Sequence, residues 1–307
     1  MGTPDFAANV LQKLIVNQHN IVLAVSQPDR PVGRKKELFP TAVKKIALDH
    51  EIPVFQPEKI RDDYQIILDT NPDIIITAAY GQLIGKALLD TPALGCVNVH
   101  ASLLPKYRGG APIHQAIING EVKTGVTLQY MEQKMDTGDI IAQASLPILD
   151  TDDVGTLFEK LSEVGANLLV ETLPLLKKKT AEKIPQDEAR ATYAWNIKRD
   201  QELINWLKPA RAVFNQIRGL HPWPVAFTTI AGVNVKVFKA VELHEVDVRS
   251  AGNLVQVNNK GIDVVCGDGK VLRLTEIQIA GKRRMPLKDL LNGDHPFAVE
   301  KSGICFK

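Results

Sequence analysis

The stretch "GCVNVHASLLPKYRGG", residues 95–110, decides the fold of the first part of the chain. Its first seven residues alternate as a β-strand does, so Asn98 and His100 lie on one face, about 7 Å apart at Cα. The C-terminal end of a parallel strand is where open α/β sheets bind their ligands. Asn98 and His100 are therefore candidate functional residues, although a capping amide and a hydrogen-bonded core histidine would explain either one alone.

Strand-like apolar runs alternate with helical patterns on both sides of this stretch. Such an order predicts an α/β fold, with a Rossmann-like, mostly parallel sheet covered by helices on both faces. The predicted strands are residues 20–26, 73–79, 95–101, 125–131 and 139–148, and the predicted helices are residues 6–17, 40–50, 84–90, 111–119 and 154–177.

The pattern changes after residue 180. Residues 177–192 are polar and lack periodicity, which is typical of a linker. Farther on, short alternating strands follow one another with Gly and Asn-Asn turns and no intervening helix, which predicts a small antiparallel β-barrel of the OB type. We therefore expect a first domain at 1–180, a linker at 181–204 and a C-terminal β-barrel domain at 205–307.

The turn "GTPDF", residues 2–6, would normally leave the first strand of a parallel sheet, yet only Met1 precedes it. Either the sheet lacks that strand or the sequence begins late. Because buried backbone groups would then lack partners, we expect the 307-residue chain to be less stable than one extended upstream by a short apolar strand.

The composition is that of a globular protein, with 45% hydrophobic residues, 23% charged residues and a formal net charge of +2. No apolar run approaches the length of a membrane span, and the N-terminus lacks the pattern of a signal peptide. Cys96, Cys266 and Cys305 are too few and too widely spaced for a disulfide framework or a zinc site, which fits a reducing compartment. We expect a cytoplasmic monomer that does not bind membranes.

Asp136, in "MEQKMDTGDI", lies in a Gly-containing connection between two predicted strands, so we expect it on a loop at the edge of the sheet. The alternative is an ordinary turn aspartate, an interpretation that suits its neighbour Asp139 better. The sequence contains no Gly-x-Gly-x-x-Gly turn, Walker loop or His-Glu-x-x-His, so no motif in it indicates NAD, ATP or a metal.

Together these residues resemble the signature of the folate-dependent formyltransferases. That signature is Asn-x-His-x-Ser-Leu-Leu-Pro, then a Gly-rich turn and, a few dozen residues on, an Asp. The similarity covers nearly the whole chain and is greatest to the family members that act on methionyl-initiator tRNA. The other similar segments are "GTPDFA", "SQPDRPVGRKKELFPTAVK", "AYGQLI", "DTGDI", "GTLFEKL", "HPWPVAF" and "LRLTEIQIAGKRRM".

The resemblance implies transfer of a formyl group from 10-formyltetrahydrofolate to the amino group of methionine on initiator tRNA, giving N-formylmethionyl-tRNA for translation initiation. Asn98 and a charged His100 would donate hydrogen bonds to the oxyanion of the tetrahedral intermediate. Asp136 would favour the charged imidazole and relay, through water, the proton that the amine loses. No metal is implied. The turn that lines the folate pocket in the family corresponds here to Ser102, Leu103, Leu104 and Pro105.

The family's tRNA contacts imply roles for a basic loop and for the second domain. The loop "DRPVGRKKE" would place its cations near phosphates of the acceptor end. Residues 200–307 carry 15 basic against 11 acidic residues, including the run 282–284 of Lys, Arg and Arg, which fits binding to a tRNA backbone. A solvated basic surface is the alternative in both places. The cations of the loop are Arg30, Arg34, Lys35 and Lys36.

Two other functions stay open. One is formyl transfer to a small amine, such as glycinamide ribonucleotide or an amino sugar nucleotide, against which the similarity over both domains counts. The other is a non-catalytic RNA-binding protein with the same fold. A pure binding protein has no use for the oxyanion donors Asn98 and His100 or for Asp136, so we expect an enzyme.

Overall fold

The computed structural model describes residues 1–32, 37–286, 289, 297, 305 and 306. They divide into two compact units. The first comprises Met1–Pro112, Lys123–Pro147 and Phe158–Trp195, and the second comprises Ile113–Val122, Ile148–Leu157 and the described residues from Asn196 onward. Residues 181–195, which the sequence assigned to a linker, belong to the first unit, and the domain limits at 180 and 205 stay predictions.

The described chain up to residue 177 contains both helices and strands. The helices are α1 (Asp5–Val16), α2 (Ala42–Asp49), α3 (Gln65–Asp69), α4 (Lys86–Asp90), α5 (Pro112–Ile118) and α6 (Val154–Lys177). The strands are β1 (Ala24–Val25), β2 (Arg30–Val32), β3 (Glu37–Phe39), β4 (Val54–Phe55), β5 (Ile75–Thr77), β6 (Cys96–His100), β7 (Lys123–Tyr130) and β8 (Ile140–Pro147). The long predicted helix has the limits of α6, because its leucines recur every three or four residues and form one buried face.

Strand β6 carries Asn98 and His100. It pairs parallel to β5, with Asn98 opposite Thr77, and antiparallel to β7, with Asn98 opposite Gln129 and His100 opposite Thr127. β7 pairs antiparallel with β8, so the strand order is β5-β6-β7-β8, while β1 and β4 form a separate parallel pair. The Rossmann-like α/β fold is confirmed, and in the four-stranded sheet β7 runs opposite to β5, β6 and β8.

Helix α6 holds β6 in place from one face. A Cβ atom on Gly165 of α6 would lie 2.8 Å from Cγ1 of Val99 and 3.2 Å from Cγ1 of Val126, so only glycine lets the helix approach this closely. Val99 and Val126 are fully buried beneath it. Close packing on this face leaves the opposite face of β6, with Asn98 and His100, for the candidate site.

Met1 and Gly2 lie between β1 and β5. The Gly2 amide donates to the Val25 carbonyl (2.9 Å), and the Met1 amino group donates to the Ile76 carbonyl (2.6 Å). Burial lowers the pKa of that amino group to about 5.

An apolar cavity of about 710 Å³ adjoins Met1 and Gly2. Its lining includes Leu11, Leu14, Leu23, Ile74 and Leu173.

The second unit is built on an antiparallel sheet. Its elements are α7 (Ala210–Gly219), β9 (Ala226–Ile230), β10 (Val233–Val246), β11 (Leu254–Asn258), β12 (Gly261–Val265), β13 (Lys270–Ile279) and β14 (Met285–Pro286). The strand order is β11-β12-β13-β10-β9, with β14 paired to β13. Val213 and Ile217 of α7 share a hydrophobic core with Val237, Leu272 and Ile277 of the sheet. The predicted C-terminal domain of strands is confirmed; its described ladders form an open path, so the closed OB-like barrel stays a prediction.

Candidate active site

Asn98 presents a hydrogen-bond donor at the end of β6. The Thr77 hydroxyl, on the neighbouring strand, donates to Oδ1 of Asn98 at 2.8 Å. With Oδ1 accepting from Thr77, Nδ2 of Asn98 faces away from Thr77. Among the described residues, no hydrogen bond from Nδ2 of Asn98 is recorded, so both of its N–H groups are available to a substrate.

His100 is buried, and both of its ring nitrogens have neighbours. Nε2 lies 3.0 Å from the carbonyl oxygen of Tyr107. Because a carbonyl can only accept, Nε2 carries a proton in this arrangement. Nδ1 lies 3.7 Å from Oδ1 of Asp136. The imidazole is thus held between the turn that follows β6 and the carboxylate of a second loop.

Asp136 lies in the connection between β7 and β8, where the sequence placed it. Its Oδ2 accepts a hydrogen bond from the Gly109 amide (2.8 Å), and its Oδ1 accepts one from Nε2 of Gln129 (3.0 Å). Its φ of 54° lies in the left-handed region, which costs a non-glycine residue on the order of 1 kcal/mol. Such a backbone persists only where its surroundings hold it.

Gly109 allows the contact with Asp136. Its φ is 119°, and a Cβ atom there would lie 2.7 Å from the Ala194 carbonyl oxygen. Any larger residue would therefore move the Gly109 amide away from the carboxylate. The Gly-rich turn of the sequence motif thus has a specific task, which is to bring a backbone N–H to Asp136.

The turn Ser102–Pro105 follows β6 directly and is anchored from β7. The Thr127 hydroxyl donates to the Ser102 carbonyl (2.6 Å) and accepts from the Leu104 amide (3.1 Å). The Ser102 hydroxyl donates to the Lys106 carbonyl (2.7 Å), so it serves the turn itself. The side chain of Leu104 is buried. The turn therefore offers a rigid backbone beside His100, and a folate role for Ser102, Leu103, Leu104 and Pro105 stays a prediction.

Several residues that shape the site escaped the sequence analysis. Gln129 could have been found, because the alternation of β7 places it on the same face as Thr127 and opposite Asn98. No sequence pattern marked Gln186 as a site residue, since it lies in a polar stretch without periodicity. It nevertheless donates hydrogen bonds to the carbonyls of Asp136 (2.9 Å) and Gly138 (2.8 Å).

The predicted tRNA-binding residues are only partly described. Arg30 pairs with Glu58 at 2.7 Å, and both side chains are exposed, so this cation is partly neutralised by a neighbour. In the second unit, Arg284 pairs with Glu276 and its guanidinium lies 4.1 Å from the centre of the Phe238 ring. Arg34, Lys35 and Lys36 lie outside the described residues, so their role stays a prediction.

Two features are absent from the described residues. They contain no group of three or more His, Cys, Asp and Glu side chains that could hold a metal ion. They also contain no helix with the length and hydrophobicity needed to cross a membrane.

Cys96, Cys266 and Cys305 are free thiols, and burial raises the pKa of Cys96 and of Cys266 to about 12.

Comparisons with known sequences identify the family of this chain. The sequence pattern described as "Formyl transferase" matches residues 1–173, and the one described as "Formyl transferase, C-terminal domain" matches residues 196–295. The methionyl-tRNA formyltransferase of Staphylococcus aureus strain MW2 is 49% identical to this chain over 306 residues, which are 99% of the chain and 98% of the relative. The same enzyme of strain RF122 / ET3-1 is 48% identical over the same length.

Solved structures share the fold. The sugar 3N-formyl transferase WlaRD, solved with dTDP and 5-N-formyl-THF, superposes with a TM-score of 0.66 at 20% identity, covering 92% of this chain and 97% of that one. An N-formyltransferase from Helicobacter canadensis, solved with folinic acid and dTDP-3-aminofucose, gives a TM-score of 0.65 at 21% identity, covering 89% and 96%. With both domain patterns and a full-length relative at 49% identity, the chain belongs to the formyl transferase family.

Proposed function

We propose that this chain transfers the formyl group of 10-formyltetrahydrofolate to the amino group of methionine on initiator tRNA. The observation that carries the proposal is the meeting of Asn98, His100 and Asp136 at the end of β6, in a chain similar over its whole length to methionyl-tRNA formyltransferases. The similarity to methionyl-tRNA formyltransferases favours methionyl-initiator tRNA as the acceptor. The positions of Asn98, His100 and Asp136 suit the transfer of a formyl group.

Asn98 is suited to stabilise the transition state. The methionine amine attacks the formyl carbon, the C=O π electrons move to oxygen, and a tetrahedral intermediate with a negatively charged oxygen results. Nδ2 of Asn98, oriented through Thr77, donates a hydrogen bond to that oxygen. One such donor is worth about 2.7–4 kcal/mol, or 10²–10³ in rate.

His100 and Asp136 handle the remaining charge and the proton. The attacking nitrogen loses a proton, which Asp136 takes through water; the oxyanion electrons then re-form the C=O bond, the C–N10 bond breaks, and Asp136 returns the proton through water to N10 of the folate. An imidazole N–H of His100 next to the formyl group adds to the stabilisation by Asn98. Its Nε2–H, which donates to the Tyr107 carbonyl in the structure, exchanges this partner for the formyl oxygen in the transition state.

The rigid turn Ser102–Pro105 is suited to bind the folate, since it borders His100 and is fixed by Thr127. The second unit and the basic loop at 30–36 are suited to bind the tRNA backbone, the loop through Arg30, Arg34, Lys35 and Lys36.

No metal takes part in this scheme, because every charge that develops has a partner among Asn98, His100 and Asp136. We further propose that the protein acts as a cytoplasmic monomer.

The experiment is an acceptor comparison. Folate carrying a labelled formyl group is offered with methionyl-initiator tRNA, with glycinamide ribonucleotide and with an amino sugar nucleotide, each alone. We expect labelled formylmethionine after hydrolysis of the tRNA, and at most trace label on the small amines. Transfer to a small amine with none to the tRNA would establish the alternative formyltransferase, and tRNA binding without any transfer would establish a binding protein.

A further inference from the structure

The segment that follows α6 contributes to the candidate active site. Residues 181–192 have the polar, aperiodic sequence of a linker, yet Gln186 of this segment contacts the loop of Asp136. We propose that Gln186 is a positioning residue for Asp136, and that Arg108 orients Gln186. The proposal rests on the formyl transfer proposed above, and it assigns to this segment a part in that chemistry.

The amide of Gln186 bridges the loop. Its Nε2 donates to the carbonyl oxygens of Asp136 (2.9 Å) and Gly138 (2.8 Å), and lies 3.3 Å from Oε1 of Gln129. Gln129 in turn donates to the Asp136 carboxylate. The Gln186 side chain thus bonds to the backbone on both sides of Thr137. It also contacts Gln129, which donates to the carboxylate of Asp136.

Arg108 leaves the Gln186 amide only one orientation. Nε and NH2 of Arg108 donate to Oε1 of Gln186 at 3.1 and 2.8 Å. A guanidinium has no acceptor, so the oxygen of the amide must face Arg108 and the nitrogen must face the carbonyls of the loop. Amide orientation is often ambiguous, but here four partners agree on one choice.

Arg108 is itself fixed. Its side chain is fully buried, and its NH1 and NH2 donate to the two carboxylate oxygens of Glu188 at 3.0 and 2.7 Å. A buried guanidinium needs such hydrogen-bonding and charged partners, because an unpaired buried charge is strongly destabilising. Arg108 precedes Gly109, whose amide binds the other oxygen of Asp136. The backbone next to Arg108 thus bonds the carboxylate of Asp136, and the side chain of Arg108 acts on the backbone carbonyl of Asp136 through Gln186.

The arrangement explains how Asp136 keeps its left-handed backbone. That conformation is unfavourable without support, and Gln186 provides it through two hydrogen bonds to the loop. A catalytic group that moves by about 1 Å can lose about 100-fold in rate. Without Gln186 we therefore expect turnover to fall about 10- to 100-fold, with little change in the KM of either substrate.

Two substitutions test the proposal. Gln186→Met keeps the volume and removes all the hydrogen bonds of the amide. Gln186→Glu keeps an acceptor for Arg108 but removes the donors and adds a carboxylate beside Asp136. A second carboxylate disfavours the ionised form of the first, so the acid limb of the pH–rate profile should move to higher pH in Gln186→Glu. The matched control is Gln65→Ala, because Gln65 is an exposed glutamine of α3 that bonds only Asp69 among the described residues.

Hydrogen–deuterium exchange makes the test independent of the acceptor. Peptides covering 131–139 and 107–111 should exchange faster in Gln186→Met than in Gln65→Ala, whereas α6 should be unchanged. If the wild type transfers formyl to a different amine, the proposed function fails and the exchange result still decides the role of Gln186. The proposal would be overturned if the Gln186 variants matched Gln65→Ala in hydrogen exchange, turnover and pH profile. It would also be overturned if the Gln186 variants melted at a lower temperature but kept the turnover and pH profile of Gln65→Ala.

Discussion

Nδ1 of His100 lies 3.7 Å from Oδ1 of Asp136, and their side chains are 7% and 14% exposed. This separation is longer than a hydrogen bond, so a movement of less than 1 Å by either group would close it. The two residues come from different elements, a strand end and a loop, and other bonds hold each of them near the other. The pair is therefore arranged before substrate binds, as efficient electrostatic stabilisation of a transition state requires.

Asn98→Ala should reduce turnover by about 10²–10³ with little change in the KM for folate, because it removes a donor used only in the transition state. Thr77→Val should have a smaller effect of about fivefold, since it removes one neutral hydrogen bond that orients the amide. Steady-state kinetics on both variants check this order. Near-normal turnover in Asn98→Ala would rule out the oxyanion role.

Much of this site was accessible from the sequence. A strand with two polar residues on one face predicted the position of Asn98 and His100, and turn chemistry predicted the loop of Asp136. These are local properties that a short stretch of sequence encodes. The resemblance then supplied their roles.

The supporting residues were less accessible. Gln186 lies 50 residues from Asp136, and no local pattern marks a side chain that acts through two distant backbone carbonyls. Arg108 would be expected at the surface, yet it is fully buried because Gln186 and Glu188 satisfy its guanidinium. Contacts of this kind depend on the tertiary fold, which sequence patterns do not specify.

The cavity beside Met1 predicts an effect of chain extension on stability. A variant with about five apolar residues added before Met1 should melt several degrees higher, because an extended segment there would fill the cavity and pair with the backbones of β1 and β5. An extension of equal length made of Gly and Ser is the control, since it adds chain without apolar side chains. Equal melting temperatures for the apolar extension and the 307-residue chain would contradict this prediction.

His114 should make the second unit sensitive to mild acid. Burial beside Trp223 holds the pKa of His114 below its usual value of 6.5. The unfolded chain then binds a proton more readily than the folded one, so the stability from neutral His114 is present above about pH 6.5 and is lost as pH falls. His114→Gln should flatten the fall in melting temperature between pH 7 and pH 5, with exposed His50→Gln as the control. An unchanged slope in His114→Gln would contradict the prediction.

The basic loop predicts the salt dependence of tRNA binding. Each phosphate contact releases counterions, so replacing Arg34, Lys35 and Lys36 together by Gln should weaken tRNA binding and reduce the salt slope by up to about three units. Folate affinity should stay near normal, because the folate residues lie on another connection. Binding measured against salt concentration checks this, and coinciding slopes would mean that the loop is only a solvated surface.

We expect His100, Asn98 and Asp136 to carry out formyl transfer to methionyl-initiator tRNA. The most direct measurement is a single-turnover experiment with enzyme in excess and a labelled formyl group on the folate, comparing the wild type with His100→Ala and Asp136→Asn. We expect the wild type to move the label to the methionine amine, and each variant to do so at least about 100-fold more slowly while folate binding is preserved. A wild type that leaves the methionine unlabelled, or variants that match its rate, would contradict these roles.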